Sequence, residues 1–205
     1  MTRIRLLAPV FVVLGLAACT TGPDPAPTTA SQAPAPADPA SSSAAVTYEH
    51  KVIDLCNKVD LAPLAPLRLT LQAKRAALPP GVREGEGDSC LHEMRTAEGK
   101  TARLTVSAVV TDRPDQAQRE VEGKSGGMTL VGPVTGPWQQ GAALTRDGDA
   151  GVEETQSEVR AASDNLYLSV WLAVGGDYTA AETLKPPVAK IAEATFATVT
   201  EAWKK

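Results

Sequence analysis

The reactive side chains of this sequence are few: three cysteines, Cys19, Cys56 and Cys90, and two histidines, His50 and His92. Cys19 closes the run Leu16-Ala17-Ala18-Cys19, a leucine and two small residues ahead of a thiol. That is the pattern of a bacterial lipobox. Small residues fit the signal peptidase, and the thiol accepts a diacylglyceryl group, so the chemistry expected at Cys19 is lipidation. Cys56 and Cys90 then remain as an even pair. Outside the cytoplasm such a pair is more often a disulfide than two free thiols. A loop of that length would gain roughly 3.5–4 kcal/mol in the chain-entropy description. The spacing is not CxxC, so a thioredoxin-like redox role has no support. The competing reading is a thiol or metal site recruiting His50 or His92.

Other chemistry is sparsely represented. There is no Gly-x-Ser-x-Gly elbow, phosphate-binding loop, dinucleotide fingerprint or HExxH motif. A Ser-His-Asp triad would need His50, at the domain edge, or His92, in a strand two residues from Cys90. Acidic residues cluster at Glu84-Gly85-Glu86-Gly87-Asp88 and at Asp147-Gly148-Asp149-Ala150-Gly151-Val152-Glu153-Glu154. The second cluster lacks the residue order of an EF-hand loop and reads as a solvated turn. No metal site and no cofactor are expected. Trp138, after Pro137 in the glycine-bearing loop Gly136 to Gly141, is the candidate ligand contact if it is exposed. The competing reading makes it an anchor that plugs the loop into the core.

The elements that carry these residues follow from composition. The chain has 205 residues, net charge −4, 43% hydrophobic and 4% aromatic residues. An acidic balance lacks the basic footprint of nucleic-acid binding. Arg3 and Arg5 precede an apolar run from Leu6 to Ala18. A bilayer-spanning helix needs roughly 20 such residues, so the run fits a signal-peptide core better than a membrane helix. An ordinary secretory signal ending near a cysteine is the alternative. Thr20 to Val46 holds six prolines among Ala, Ser and Thr, with only Asp24 and Asp38 charged. Such a segment cannot bury enough apolar surface to offset its ordering entropy and reads as a tether. The expected organisation is a signal peptide over 1–18, an acylated cysteine and tether over 19–46, and one domain over 47–205. Two or more acyl chains on Cys19 would hold that domain at the extracytoplasmic face of the membrane.

Within the domain, Asp60 caps a short helix in which Leu61, Leu64 and Leu67 share a face. Asp88–Met94 and Ala102–Thr111 form a hairpin around Gly99. Pro114–Gly123 is a helix, and Met128–Val134 and Gly141–Arg146 are strands. Glu154–Ala162 and Leu166–Val174 form a second hairpin. From about Pro187, an amphipathic helix places Val188, Ile191, Ala192, Thr195, Phe196, Val199 and Trp203 on one stripe. The order predicts an α+β domain with a mainly antiparallel sheet and a C-terminal helix.

The lipobox, the tether, a cysteine just before an Asp-capped Leu/Ala helix and a second cysteine on a strand stand in one order. The stretch Val134-Thr135-Gly136-Pro137-Trp138-Gln139-Gln140-Gly141-Ala142-Ala143 and a terminal amphipathic helix follow them. This layout resembles the actinobacterial cell-envelope lipoproteins grouped as the domain of unknown function 3558 family, over most of Val52 to Trp203. His92 stands where those proteins often carry an aromatic residue, and Gly136 to Gly141 has fewer glycines than theirs. The resemblance implies a curved antiparallel sheet packed with helices, similar to the PsbP/Mog1 type, and no catalytic residues. The function expected is a lipid-anchored module, not an enzyme, that binds a small ligand, a wall polymer or an envelope protein. An envelope enzyme using Asp147, Glu153 or Glu154, or an accessory subunit of an envelope complex, are the alternatives.

Overall fold

A computed structural model describes residues 46–123, 126–148, 154–176 and 180–205. The signal, Cys19 and nearly all of the tether therefore lie outside the described residues. Among these residues, seven strands form one antiparallel sheet in the order β1-β2-β3-β7-β6-β5-β4. They are β1 (Thr70–Ala77), β2 (Gly87–Arg95), β3 (Thr101–Val110), β4 (Thr129–Pro133), β5 (Gln140–Arg146), β6 (Glu154–Ser163) and β7 (Leu166–Gly175). Among the described residues, three α-helices accompany them: α1 (Leu55–Lys58), α2 (Pro114–Glu122) and α3 (Ala181–Trp203). The α+β expectation holds.

Period two organises the sheet. On β7, Leu166, Leu168, Val170, Leu172 and Val174 point to one face and are wholly buried. Their cross-strand partners Val110, Ala108, Val106, Leu104 and Ala102 on β3 share that face, as alternation requires. Helix α3 covers it with the predicted stripe, Val188 through Trp203, all buried. Met94, Leu64, Leu67 and Leu55 extend the same core toward β1.

The hairpin at Gly99 turns with φ 77, a conformation glycine adopts at no steric cost. The predicted break at Pro79-Pro80-Gly81 is the connection from β1 to β2. Three elements differ from expectation. Asp60 is not the N-cap: that position is Leu61, which makes no side-chain cap bond, while Asp60 Oδ1 accepts from the Ala62 amide at 2.9 Å. The turn that follows is a 3-10 helix, Ala62–Leu67, interrupted by Pro66, because a proline amide cannot donate to an α-helical ladder. Helix α3 starts at Ala181 and runs through Pro186 and Pro187. Its first turn is fixed from outside, by Asp147 Oδ1 accepting from the Ala181 amide at 2.9 Å. Strand β1 carries no alternating signal, because every one of its residues is exposed at the sheet edge.

The N-terminal end of the domain is clipped to the last turn of α3. Tyr48 bridges Lys204, the Trp203 indole donates to the Lys51 carbonyl at 2.8 Å, and the Lys205 amide donates to the Thr47 carbonyl at 3.1 Å. Among the described residues, no helix is long and apolar enough to cross a membrane.

Candidate functional site

The second face of the sheet is polar. Alternation on β6 sends Gln156, Glu158, Arg160 and Ala162 to the side away from α3, and on β7 it sends Tyr167, Ser169 and Trp171 there. Ser107 and Val109 of β3 join them. Helix α2 lies across part of this face. Ala117 and Val121 pack on Ala142, Ala162 and the ring of Tyr167. The Pro79–Glu86 loop approaches from the other side. Between loop, helix and sheet lies an open-sided cavity of about 570 Å³, within the range of roughly 300–1,000 Å³ typical of small-molecule sites.

Arg160 lines its floor and is half of a buried ion pair. Glu158 is 6% exposed and Arg160 7%. Arg160 Nε donates to Glu158 Oε1 at 2.9 Å and Nη2 donates to Oε2 at 3.2 Å. Arg160 Nη1 donates to the carbonyls of Glu120 and Gly123 at 3.2 and 2.5 Å. These carbonyls end α2, where acceptors lack helical donors. One guanidinium therefore neutralises Glu158 and fastens the C-terminal end of α2 to the sheet. Burial works against the Arg160 charge, but the bond and charge of Glu158 outweigh it and its pKa is raised.

Ser169 Oγ donates to Glu158 Oε1 at 2.8 Å, and Ser89 and Ser107 share a hydrogen bond of 2.8 Å across β2 and β3. Burial pushes the Tyr167 phenol upward, the Glu158 charge acts in the same direction, and the Arg160 charge opposes both. The phenol thus stays protonated and is hydrogen-bonded to Ser169. At the rim, Arg83 pairs with Glu86, while Asp112 and Glu120 are exposed.

Trp138 does not line this cavity. It belongs to the core on the α3 side, 9% exposed, with its ring edge-on to Phe196 at 5.6 Å. Its indole donates to the Val134 carbonyl at 2.9 Å. A Cβ on Gly136 or Gly141 would collide with the indole, so those glycines let the loop close around it. The expectation of an exposed ligand contact at Trp138 is corrected: the residue anchors the loop, because the loop supplies the acceptor and the close approach that a buried indole needs.

Cys56 and Cys90 form a disulfide with Cα atoms 5.1 Å apart, joining α1 to β2. Cys19 lies outside the described residues. His92 is wholly buried, with Nε2 3.7 Å from the Cys90 sulfur. Burial lowers its pKa, backbone at Cys56 and Leu104 opposes the shift, and the Lys74 charge reinforces it. His50 sits 3.2 Å from Asp88 and edge-on to Trp203. The two histidines serve separate places and do not converge.

The carboxylates considered for an enzyme are dispersed. Asp147 caps α3, Glu154 pairs with Arg103 at 2.6 Å, and Asp149 and Glu153 lie outside the described residues. Among the described residues, no group of three or more His, Cys, Asp or Glu side chains could hold a metal ion.

Sequence reasoning missed Glu158, Arg160 and Ser107. The signal was present in β6, where Glu154, Gln156, Glu158 and Arg160 recur at every second position of a central strand. A polar residue at each such position requires partners on that face, and α2 and the cavity floor supply them.

No protein-family model matches the sequence, and no curated protein matches it. Among solved structures, the chain is similar to the extracellular domain of PknH from Mycobacterium tuberculosis, with 9% identity and a TM-score of 0.42, over 66% of this chain and 89% of that one.

Proposed function

We propose that this protein is a lipid-anchored, extracytoplasmic binding module rather than an enzyme, and that the cavity between α2 and the polar sheet face is its ligand site. The observation that carries the site is the cavity itself: about 570 Å³ of open space over a hydrogen-bonded polar floor. The disulfide fits an oxidising compartment. The lipobox ending at Cys19 and the resemblance to the domain of unknown function 3558 lipoproteins supply the anchor and the envelope setting of this reading.

A chemically diverse fragment mixture, followed by amide chemical shifts of the ¹⁵N-labelled protein, tests the site. Shifts should concentrate at Ser107, Val109, Tyr167 and Ser169, and a Val109→Trp variant, which fills the space, should lose them. Shifts confined to other surfaces overturn the assignment. The anchor is tested by growth with a clickable fatty acid. Labelling should vanish in Cys19→Ala, and undiminished labelling removes the anchor.

A further inference from the structure

If the cavity is a ligand site, as proposed above, the charges on its lining select the occupant. Helix α2 forms one wall. Gln116 and Glu120 are four residues apart and so share one face of the helix. Both line the cavity, together with Asp112 just ahead of the helix. Among the described residues, the side chains of Asp112, Gln116 and Glu120 have no hydrogen-bond or ion-pair partner.

The cations nearby are engaged. Arg83 on the facing loop pairs with Glu86, and Arg160 pairs with Glu158. Arg113 and Arg119, which do not line the cavity, both pair with Asp115. Asp112 acts on Arg83 through its charge alone, and the Glu120 carboxylate acts on Arg160 likewise. Two carboxylates are thus left facing the open space. An anion entering it would meet them without an uncommitted counter-charge.

Those carboxylates stand at opposite ends of the α2 wall. The helix rises about 9 Å from Pro114 to Glu120, and Asp112 precedes Pro114 by two residues. Between them lies the Gln116 carboxamide, and the apolar side chains of Pro79, Val82 and Val109 complete the lining. One positive charge at each end of a methylene chain matches that order.

We propose that the cavity binds a linear aliphatic diammonium ion, a polyamine by chemical class, with one ammonium at Asp112, the other at Glu120 and the methylene chain against Val82 and Val109. A single ammonium would engage one carboxylate and leave the other unmatched, so the two-ended ligand is selected over it.

The test titrates the ¹⁵N-labelled full chain with hexamethylenediamine and spermidine. Hexylamine, hexanediol and adipate serve as the singly charged, neutral and anionic counterparts. The diammonium probes should give saturable shifts at Ser107, Val109 and the side-chain amide of Gln116. Hexylamine should bind about fivefold more weakly, the upper scale of one exposed ion pair, and hexanediol and adipate more weakly still. Added salt should weaken diammonium binding, since both carboxylates are open to screening. Asp112→Asn and Glu120→Gln remove no bond of the fold, and each should bring hexamethylenediamine down to the level of hexylamine.

Hexylamine binding as tightly as hexamethylenediamine, or unchanged diammonium binding in both variants, overturns the two-ended site. Equal or tighter binding of hexanediol or adipate at these residues overturns the cationic class and leaves the cavity as a ligand site. Trilysine binding more tightly than spermidine overturns the free polyamine in favour of the lysines of a peptide. No shift from any probe overturns the diammonium ligand, and the fragment titration above then decides separately whether the cavity is a site.

Discussion

Along β7, neighbouring residues meet two different environments. Leu166, Leu168, Val170, Leu172 and Val174 are wholly buried beneath α3, whereas Tyr167, Ser169 and Trp171 keep part of their surface accessible on the opposite side. Strand β6 repeats the contrast in polarity alone, with Val159 and Ala161 against Glu158 and Arg160, all four buried. The α3 face is held by area removed from water, which is non-directional. The α2 face is held by a few directed bonds, chiefly those of Arg160. Close packing fills the first face with core and leaves the second room for a cavity. The packed core and the open cavity thus lie on opposite sides of the same strands.

That division can be attacked from either side. The largest effect is expected on the apolar face. Phe196→Ala removes a ring that is 1% exposed and should cost about 3–5 kcal/mol in urea unfolding. A loss below about 1 kcal/mol would show that α3 is not the stabilising cover. Next comes the disulfide, which ties α1 to the same side. Replacing Cys56 and Cys90 together by alanine should cost roughly 3.5–4 kcal/mol, and free thiols in the native protein would end that account.

On the polar face, Glu158→Gln leaves the Arg160 guanidinium without its counter-ion. The expected loss is about 3 kcal/mol, at the low end for a broken buried pair because the cavity admits water. The joint change Glu158→Leu with Arg160→Met should cost less than Glu158→Gln alone, since it removes both charges, though α2 then loses its carbonyl donor. If the joint change is the worse of the two, the helix latch outweighs the ion pair.

The smallest effect concerns His92. Its folded pKa lies below its unfolded value, so the unfolded chain binds the proton more readily. The stability this contributes is present above about pH 6.5 and is lost as pH falls from there toward the folded value. A His92→Gln variant should show a shallower fall in melting temperature between pH 7 and pH 5. An unchanged slope would assign the acid limb to other groups.

The α3 face was legible in the sequence because its signal is periodic. The Val188-to-Trp203 stripe and the Leu166-to-Val174 alternation each name one face, and burial follows. Strand β1 was hidden for the opposite reason, since an exposed edge strand imposes no pattern on its residues. Proline placement misled at Pro186, where interior packing of α3 and the Asp147 cap carry the helix past two missing donors. The cavity was hidden because its residues come from β3, β6, β7, α2 and two loops, which only the antiparallel order brings together. Trp138 was noticed but read in two ways, and the choice depended on an acceptor at Val134 and on Phe196, some sixty residues away in the chain.

The N-terminal clip also has a mechanical meaning. A pull applied at Val46 reaches the domain through Thr47 to Lys51, which hang on Lys205, Lys204, Trp203 and the side chain of Asn165. The Asn165 amide donates in turn to the Tyr48 and Thr111 carbonyls. Tension would therefore fall first on the last turn of α3, on Asn165 in the turn between β6 and β7, and on the His50–Asp88 contact at the start of β2. The clip thus spreads a load from the chain's entry over a helix end and two places in the sheet.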